Sequence, residues 1–429
     1  MKIDFLKDLE QRDLIHQIST PALDDLLQRE RVTAYIGFDP TADSLHVGSL
    51  LQLVLLRRFQ LAGHRPIGVV GGGTGLIGDP SGRESERCLL TLEQLDHNRA
   101  GIRRQMEQFL DFDPGDALLI DNTEWLCRLN LVEFLRDIGK HFSVNQMIAR
   151  DSVRNRLETR EQGLSFTEFT YMLMQAYDFL ELYDRYGCLL QMGGSDQWGN
   201  ILSGSDLIRR LRNVETYGLT IPLVERADGK KFGKSEEGNI WLDPQRTSPY
   251  QFYQFWMNTE DTDVVRHLKS FTMLPMAEIA EAAQAVKTAP EQRQAQGRLA
   301  EEVTRLVHGS EALARAQKTT RVLFSKGADY HELSGQELAE AFHGAPASQL
   351  ARQALGTSAA GLVALLVESN LYPSRGRARK DVPAGAVSVN NVAIRDPEYT
   401  LSENDLLAGD FIILRKGKKH YHVLRVNNE

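Results

Sequence analysis

Two short apolar runs rich in strand-forming residues, Thr33–Phe38 (TAYIGF) and Arg65–Val70 (RPIGVV), flank Val47–Leu61, whose apolar residues recur at helical spacing. Strand, helix and strand in so short a span form a crossover unit, which joins parallel strands and places ligands at their carboxyl ends. The alternation continues. Residues 92–110, 131–141, 166–182 and 198–211 have helical patterns, while 117–121, 188–192 and 219–224 are compatible with strands. The expectation is an α/β fold whose first domain, residues 1–240, is an open, Rossmann-like parallel sheet with its ligand site at the carboxyl ends of the strands. From 249 to about 324 the pattern is helical and rich in Ala, Glu, Gln and Arg, which predicts an all-helical domain over 241–330. Small residues and helix breakers then suggest a linker at 331–360. The last residues, 361–429, predict a small α+β module.

A chain of 429 residues exceeds one typical core, so several domains are expected. No apolar run is long enough to span a membrane, and the opening residues mix acids and bases without a secretory or transit pattern. Cys88, Cys127 and Cys188 are far apart and form no CxxC pair, so they read as reduced packing residues of a cytoplasmic protein, with no metal site expected. A net charge of -8 argues against indiscriminate nucleic-acid binding, although the tail from Leu362 carries ten Lys/Arg against eight Asp/Glu.

Two glycine segments invite misreading. Residues 73–78, GTGLIG, match the dinucleotide fingerprint formally, but run into Asp79-Pro80-Ser81-Gly82, turn chemistry where the fingerprint needs a helix. Residues 229–235, GKKFGKS, have one residue too few between glycines for a phosphate loop and follow a polar turn, not a buried strand. What remains there is a lysine-rich segment suited to polyphosphate, or a solvated lysine cluster.

The segment DPTADSLHVGS, residues 39–49, lies between the first strand and the first helix, where an open sheet binds ligands and a helix start favours anions. His46 and Gly48 would set an imidazole and an unhindered backbone beside a phosphate; His46 could equally serve as a helix cap. On the apolar 166–182 helix, Tyr171, Gln175 and Asp178 stand at i, i+4 and i+7 and share one face. Buried, such polar groups need partners; otherwise the stripe faces solvent.

HVGS at 46–49 with KFGKS at 231–235 resembles the paired signatures of class I aminoacyl-tRNA synthetases, with Ser49 where the family usually has histidine. YxxxQxxD at 171–178 is similar to the amino-acid-binding helix of bacterial-type tyrosyl-tRNA synthetases. The resemblance covers nearly the whole chain. It implies that Tyr171, Gln175 and Asp79 hold the substrate ammonium, that Asp178 and Tyr35 meet its phenol, and that Gln197 lies near the tyrosine. Gly37, Asp39, Thr41, Gly48, Ser49, Gly193 and Asp196 would surround ATP and its ribose. His46, Thr41, Lys231, Lys234, Arg83 and Arg87 would stabilise charge as pyrophosphate departs. Ile36 and Gln52 replace residues that grip the nucleotide in some relatives. YPSRGRARK at 372–380 resembles a small RNA-binding module, which makes Arg375, Arg377, Arg379 and Lys380 candidates for tRNA phosphates. The partners implied are L-tyrosine, ATP with Mg²⁺ and tRNA(Tyr), in a homodimer joined near 131–148. A tryptophan-specific relative would share the fold and both phosphate motifs but lack the Tyr35/Asp178 pair.

Overall fold

The computed structural model describes residues 3–79, 90–113, 115–150, 153–154, 157, 164–224, 232–235, 238–325, 329–417 and 420–427. Arg83, Arg87, Cys88 and Lys231 therefore lie outside the described residues.

Six strands make the first sheet: β1 (Gln17–Ile18), β2 (Thr33–Phe38), β3 (Arg65–Val70), β4 (Leu118–Asp121), β5 (Cys188–Gly194) and β6 (Tyr217–Ile221). Their order is β1-β6-β5-β2-β3-β4. All neighbours run parallel except the short β1, which pairs antiparallel with β6 at one edge. The continuous apolar character of TAYIGF and RPIGVV follows from this. A parallel sheet is covered on both faces, so nearly every side chain of β2 and β3 is buried. From β2 the chain steps outward through β3 to β4, then returns to lay β5 on the other edge of β2. The direction reverses between β2 and β5, and the crevice at their carboxyl ends is the natural ligand position.

Four helices position the crevice: α1 (Val47–Leu61), α2 (Leu92–Phe109), α3 (Phe166–Tyr186) and α4 (Trp198–Arg212). Two of the starts have a clear local cause. Thr91 and Gln94 form a reciprocal capping box for α2, and the Ser165 hydroxyl accepts from Glu168 N–H to begin α3. Gly187, at φ 64°, ends α3 in the left-handed conformation that suits glycine.

The remainder departs from the expected borders. Helices at Pro249–Met257, Asp261–Phe271, Met276–Thr288 and Gln294–Phe324 bear out the helical texture, the last broken at Gly309 (φ 81°, ψ 171°). By contact density, however, Phe255–Val307 groups with Met1–Thr247, and Ser248–Gln254 groups with His308–Glu429. The stretch expected as a linker carries a capped helix, Gly335–Ala341, and a strand, β9 (Ala347–Ala351). That strand pairs parallel with the last one, β13 (His420–Asn427). Pairing explains why it is ordered structure: Leu350 is buried in the core of the C-terminal sheet with Leu366, Ala378, Ile412 and Leu424. The other strands there are β10 (Val387–Val389), β11 (Val392–Ile394) and β12 (Phe411–Lys416), in the order β11-β10-β12-β13-β9. Among the described residues, no helix is long and apolar enough to cross a membrane.

Candidate active site

β2 ends at Phe38, and the loop to α1 closes on His46, which is the helix N-cap. Its Nδ1 accepts the Gly48 N–H at 2.9 Å. An imidazole that accepts at Nδ1 carries its proton on Nε2, so it serves as cap and donor together. Gly48 is required for this. A Cβ at that position would stand 2.6 Å from the His46 ring.

The second motif is laid across the same helix start. Val47 N–H donates to Ile240 O and Leu242 N–H to Leu45 O, both at 2.9 Å, while Ile240 N–H donates to Gly233 O. Gly233 (φ 87°) sits so close that a Cβ there would be 2.8 Å from Val47 Cγ2 and 3.3 Å from Gly48 N. HVGS and KFGKS, far apart in sequence, therefore touch. Lys234 lies on a short strand, β7 (Lys234–Ser235), paired with β8 (Gly238–Asn239). Phe232 packs among Phe255, Trp256, His267 and Phe271, with ring centroids 4.8–5.7 Å apart.

The stripe on α3 faces inward. Tyr171 is 5% and Asp178 4% exposed, which excludes the solvent-facing alternative. Tyr171 donates to Asp39 at 3.2 Å, and Asp39 also accepts from Thr74 at 2.9 Å. Asn122 donates to Thr74 at 3.1 Å and to Asp178 at 2.9 Å, and Trp125 donates its indole N–H to Asp178 at 2.6 Å. A second network joins Gln175 to Gln197 (3.2 Å), Gln197 to Asp79 (2.7 Å) and Asn200 to both glutamines. Tyr35 is 2% exposed, and its hydroxyl has no hydrogen-bond partner among the described residues. Burial raises its pKa well above the ordinary phenol value, and the Asp178 charge adds to this. Burial also raises Asp178 to about 7, against the opposing effect of its hydrogen bonds from Asn122 and Trp125. Asp196 is raised too, first by burial and then by the charge of Asp79.

These groups surround one cavity of about 1010 Å³ at the carboxyl ends of β2 and β5. Tyr35, Gly37, Asp39, Thr41, His46, Gly48, Ser49, Asp79, Tyr171, Gln175, Asp178, Gly193, Asp196 and Gln197 all line it, as do Ile36 and Gln52. Gly37 is exposed in the middle of an otherwise buried strand, and a Cβ there would meet nothing within 4 Å. The strand opens at that point to leave room for a ligand. Asn122, Trp125, Thr74 and Gln191 belong to the site or its support, and the sequence reading missed them. Asn122 and Trp125 follow β4 at the carboxyl edge of the sheet, and that placement was the available signal. Among the described residues, no cluster of three or more His, Cys, Asp or Glu is arranged to hold a metal ion.

The C-terminal helix Arg375–Asp381 presents Arg375, Arg377, Arg379 and Lys380 on its exposed side while Ala378 is buried. Arg377 pairs with Asp381 at 3.0 Å and Arg379 with Glu398 at 3.1 Å. Arg375 and Lys380 have no ion-pair partner among the described residues.

An open parallel sheet, a glycine-walled cavity at its strand reversal and a capped helix start at one side together define a nucleotide-binding α/β enzyme with a second polar subsite for a small substrate. Residues 27–325 match the family model described as tRNA synthetases class I (W and Y), and residues 337–424 match that of the tyrosine–tRNA ligase SYY-like C-terminal domain. The chain is 53% identical to the tyrosine–tRNA ligase of Roseiflexus castenholzii, over 98% of this chain and 99% of that one. It is 50% identical to that of Geobacillus kaustophilus, over 99% of this chain and 100% of the relative. Its fold matches a C-terminally truncated mitochondrial tyrosyl-tRNA synthetase of Aspergillus nidulans with a TM-score of 0.66 and 34% identity, covering 75% of this chain and 94% of that one. This chain belongs to the class I tRNA synthetase family, in the group that comprises the tryptophan and tyrosine enzymes.

Proposed function

We propose that the chain is a tyrosine–tRNA ligase. It activates L-tyrosine with ATP to tyrosyl-adenylate and pyrophosphate, then transfers tyrosine to the 3′ end of tRNA(Tyr). The observation that carries the choice of amino acid is the buried pair at the inner wall of the cavity, a Tyr35 hydroxyl with no partner among the described residues and the Asp178 carboxyl. A phenol between them supplies a donor to Asp178 and a partner to Tyr35. A tryptophan side chain could offer Asp178 its indole N–H, but it has no oxygen to accept from the Tyr35 hydroxyl. A site built to hydrogen-bond a substrate hydroxyl rejects an analogue that lacks it, and tyrosine against phenylalanine is the established example of that rule.

In the first step the tyrosine carboxylate attacks the α-phosphorus of ATP and pyrophosphate leaves. The carboxylate is already a nucleophile, so alignment and charge stabilisation supply the catalysis. Tyr171, Gln175, Gln197 and Asp79 hold the ammonium and carboxylate end. Gly37, Asp39, Gly48, Ser49, Gly193 and Asp196 take the nucleotide. His46 Nε2 and Thr41, with Lys231, Lys234, Arg83 and Arg87, meet the phosphates. Mg²⁺ arrives with the ATP phosphates as part of the substrate. In the second step the terminal ribose hydroxyl of the tRNA attacks the aminoacyl carbonyl. The helix bearing Arg375, Arg377, Arg379 and Lys380 binds tRNA phosphates, and the helical portion lies near the anticodon. The active species is a cytoplasmic homodimer, joined where Leu131, Val132, Leu135, Val144 and Ile148 leave apolar side chains exposed.

Pyrophosphate exchange across the standard amino acids tests the reading. Tyrosine alone should support exchange, and Asp178→Ala should remove it while leaving ATP binding intact. Exchange with tryptophan, or an unchanged rate in the variant, would overturn the assignment.

A further inference from the structure

We propose that Trp241 is a positioning residue for His46, and that an Arg246–Asp43 ion pair holds Trp241 in place. The inference rests on the reading of His46 given above. His46 and Trp241 form an isolated antiparallel bridge, and their rings meet edge to face, with centroids 6.0 Å apart and planes at 68°. The Arg246 guanidinium lies over the indole, 4.0 Å from its centroid. Its Nη1 reaches Asp43 Oδ1 at 2.9 Å, and Asp43 sits on the same loop as His46. The other Asp43 oxygen faces His97 Nε2 at 3.6 Å. A closed circuit results, from loop to indole to guanidinium and back to the loop.

Local sequence builds this circuit. Trp241 N–H donates to the hydroxyl of buried Thr247 at 3.0 Å, which folds 241–247 back so that Arg246 covers the indole. Asp243 N–H donates to Ser44 Oγ at 3.2 Å, and Ser44 also receives Gln105 Nε2 at 2.8 Å. The loop before His46 is thus fastened to both α2 and the 241–247 turn. The hydrogen bond at Nδ1 fixes one end of the imidazole, and the indole edge limits its tilt, because aromatic pairs favour one geometry. Arg246 is 38% and Asp43 35% exposed, so their ion pair does little for global stability; its effect is on orientation.

The arrangement is tested by pyrophosphate exchange on the full chain with Trp241→Ala, Trp241→Phe, Arg246→Met, His46→Ala and the His46→Ala/Trp241→Ala double variant. Trp241→Ala should lower kcat for activation about tenfold, the scale of effect that small misplacement produces, with the KM for tyrosine unchanged. Trp241→Phe should restore most of the rate. Arg246→Met, a surface change that keeps the fold, should lower kcat by about threefold. In the His46→Ala background the loss of Trp241 should cost nothing further, as expected for residues that act through one another. Equal losses from Trp241→Ala with and without His46, or an unchanged kcat beside a damaged His46→Ala, would overturn the inference alone. An unchanged kcat in His46→Ala would remove the catalytic reading of His46 itself, and this inference with it.

Discussion

Trp125 donates its indole N–H to Asp178 at 2.6 Å, from the core cluster that also holds Tyr35 and Phe179. Asn122 occupies the other carboxylate oxygen at 2.9 Å. Both donors are neutral, and among the described residues no cation pairs with Asp178. Neutral donors offset burial only in part, which is why the carboxyl remains raised to about 7.

A pH dependence of tyrosine binding follows. The raised group is protonated below about 7 and then accepts the substrate phenol poorly. Tyrosine affinity should fall by up to about tenfold per unit as pH drops below that value, and level off above it. The same shift has the opposite sign for folding. Because the folded pKa lies above the ordinary carboxylate value of 3.8, ionisation opposes the fold, and this group's contribution to stability is lost as pH rises from 3.8 through about 7. Equilibrium binding of tyrosine across that range is the measurement; a flat profile would show that the ionised carboxylate is not the acceptor.

Asn122 should matter to tyrosine far more than to ATP. Its oxygen accepts the Gly73 N–H at 2.7 Å while its nitrogen serves both Thr74 and Asp178. Asn122→Ala leaves buried groups unpaired, a loss of about 1–3 kcal/mol. The KM for tyrosine should rise about tenfold or more, with the KM for ATP nearly unchanged. Equal rises in both constants would mean that the network supports the whole cavity.

Gly37→Val separates space from stability. A Cβ added there meets nothing within 4 Å, and the position lines the cavity. The unfolding free energy should stay within about 0.5 kcal/mol of the parent. Exchange at low ATP should nonetheless fall by about tenfold or more, because ligand and side chain compete for one volume. Thermal unfolding and exchange kinetics on the same preparation decide the matter.

Every described residue that lines the cavity lies before position 240. A chain ended at Ser325 should therefore keep tyrosine-dependent exchange and lose most tRNA charging. Undiminished charging by the shortened chain would remove the RNA-binding role given to Arg375, Arg377, Arg379 and Lys380.

The parts of the site that sequence made legible are those with a period or a motif. Tyr171, Gln175 and Asp178 stand out because polar residues at helical spacing interrupt an apolar helix. HVGS and KFGKS stand out because glycines and lysines cluster at turns. Asn122 and Trp125 have no such signature: each is a lone residue after a short strand, and only folding brings them to Asp178. β1 is two residues long, too short for alternation to register. β9, ASQLA, buries only Leu350 and so reads as loop until β13 is beside it. Texture and packing also divide the chain differently: helical texture continues across Gly309, while the packing partners change there.

The lateral pairing of β2 with β5 also sets an order of events during synthesis. β2, β3 and β4 are neighbours in sequence and can pair as soon as the chain has emerged past Asp121. The other edge of β2, along Thr33 to Tyr35, stays bare until α3 and β5 have been made. A bare apolar edge invites pairing with other chains, so this interval is when a nascent chain most needs shielding by a chaperone or the ribosome. Neither tyrosine nor ATP can hasten the early strands, because the wall that would hold them does not yet exist.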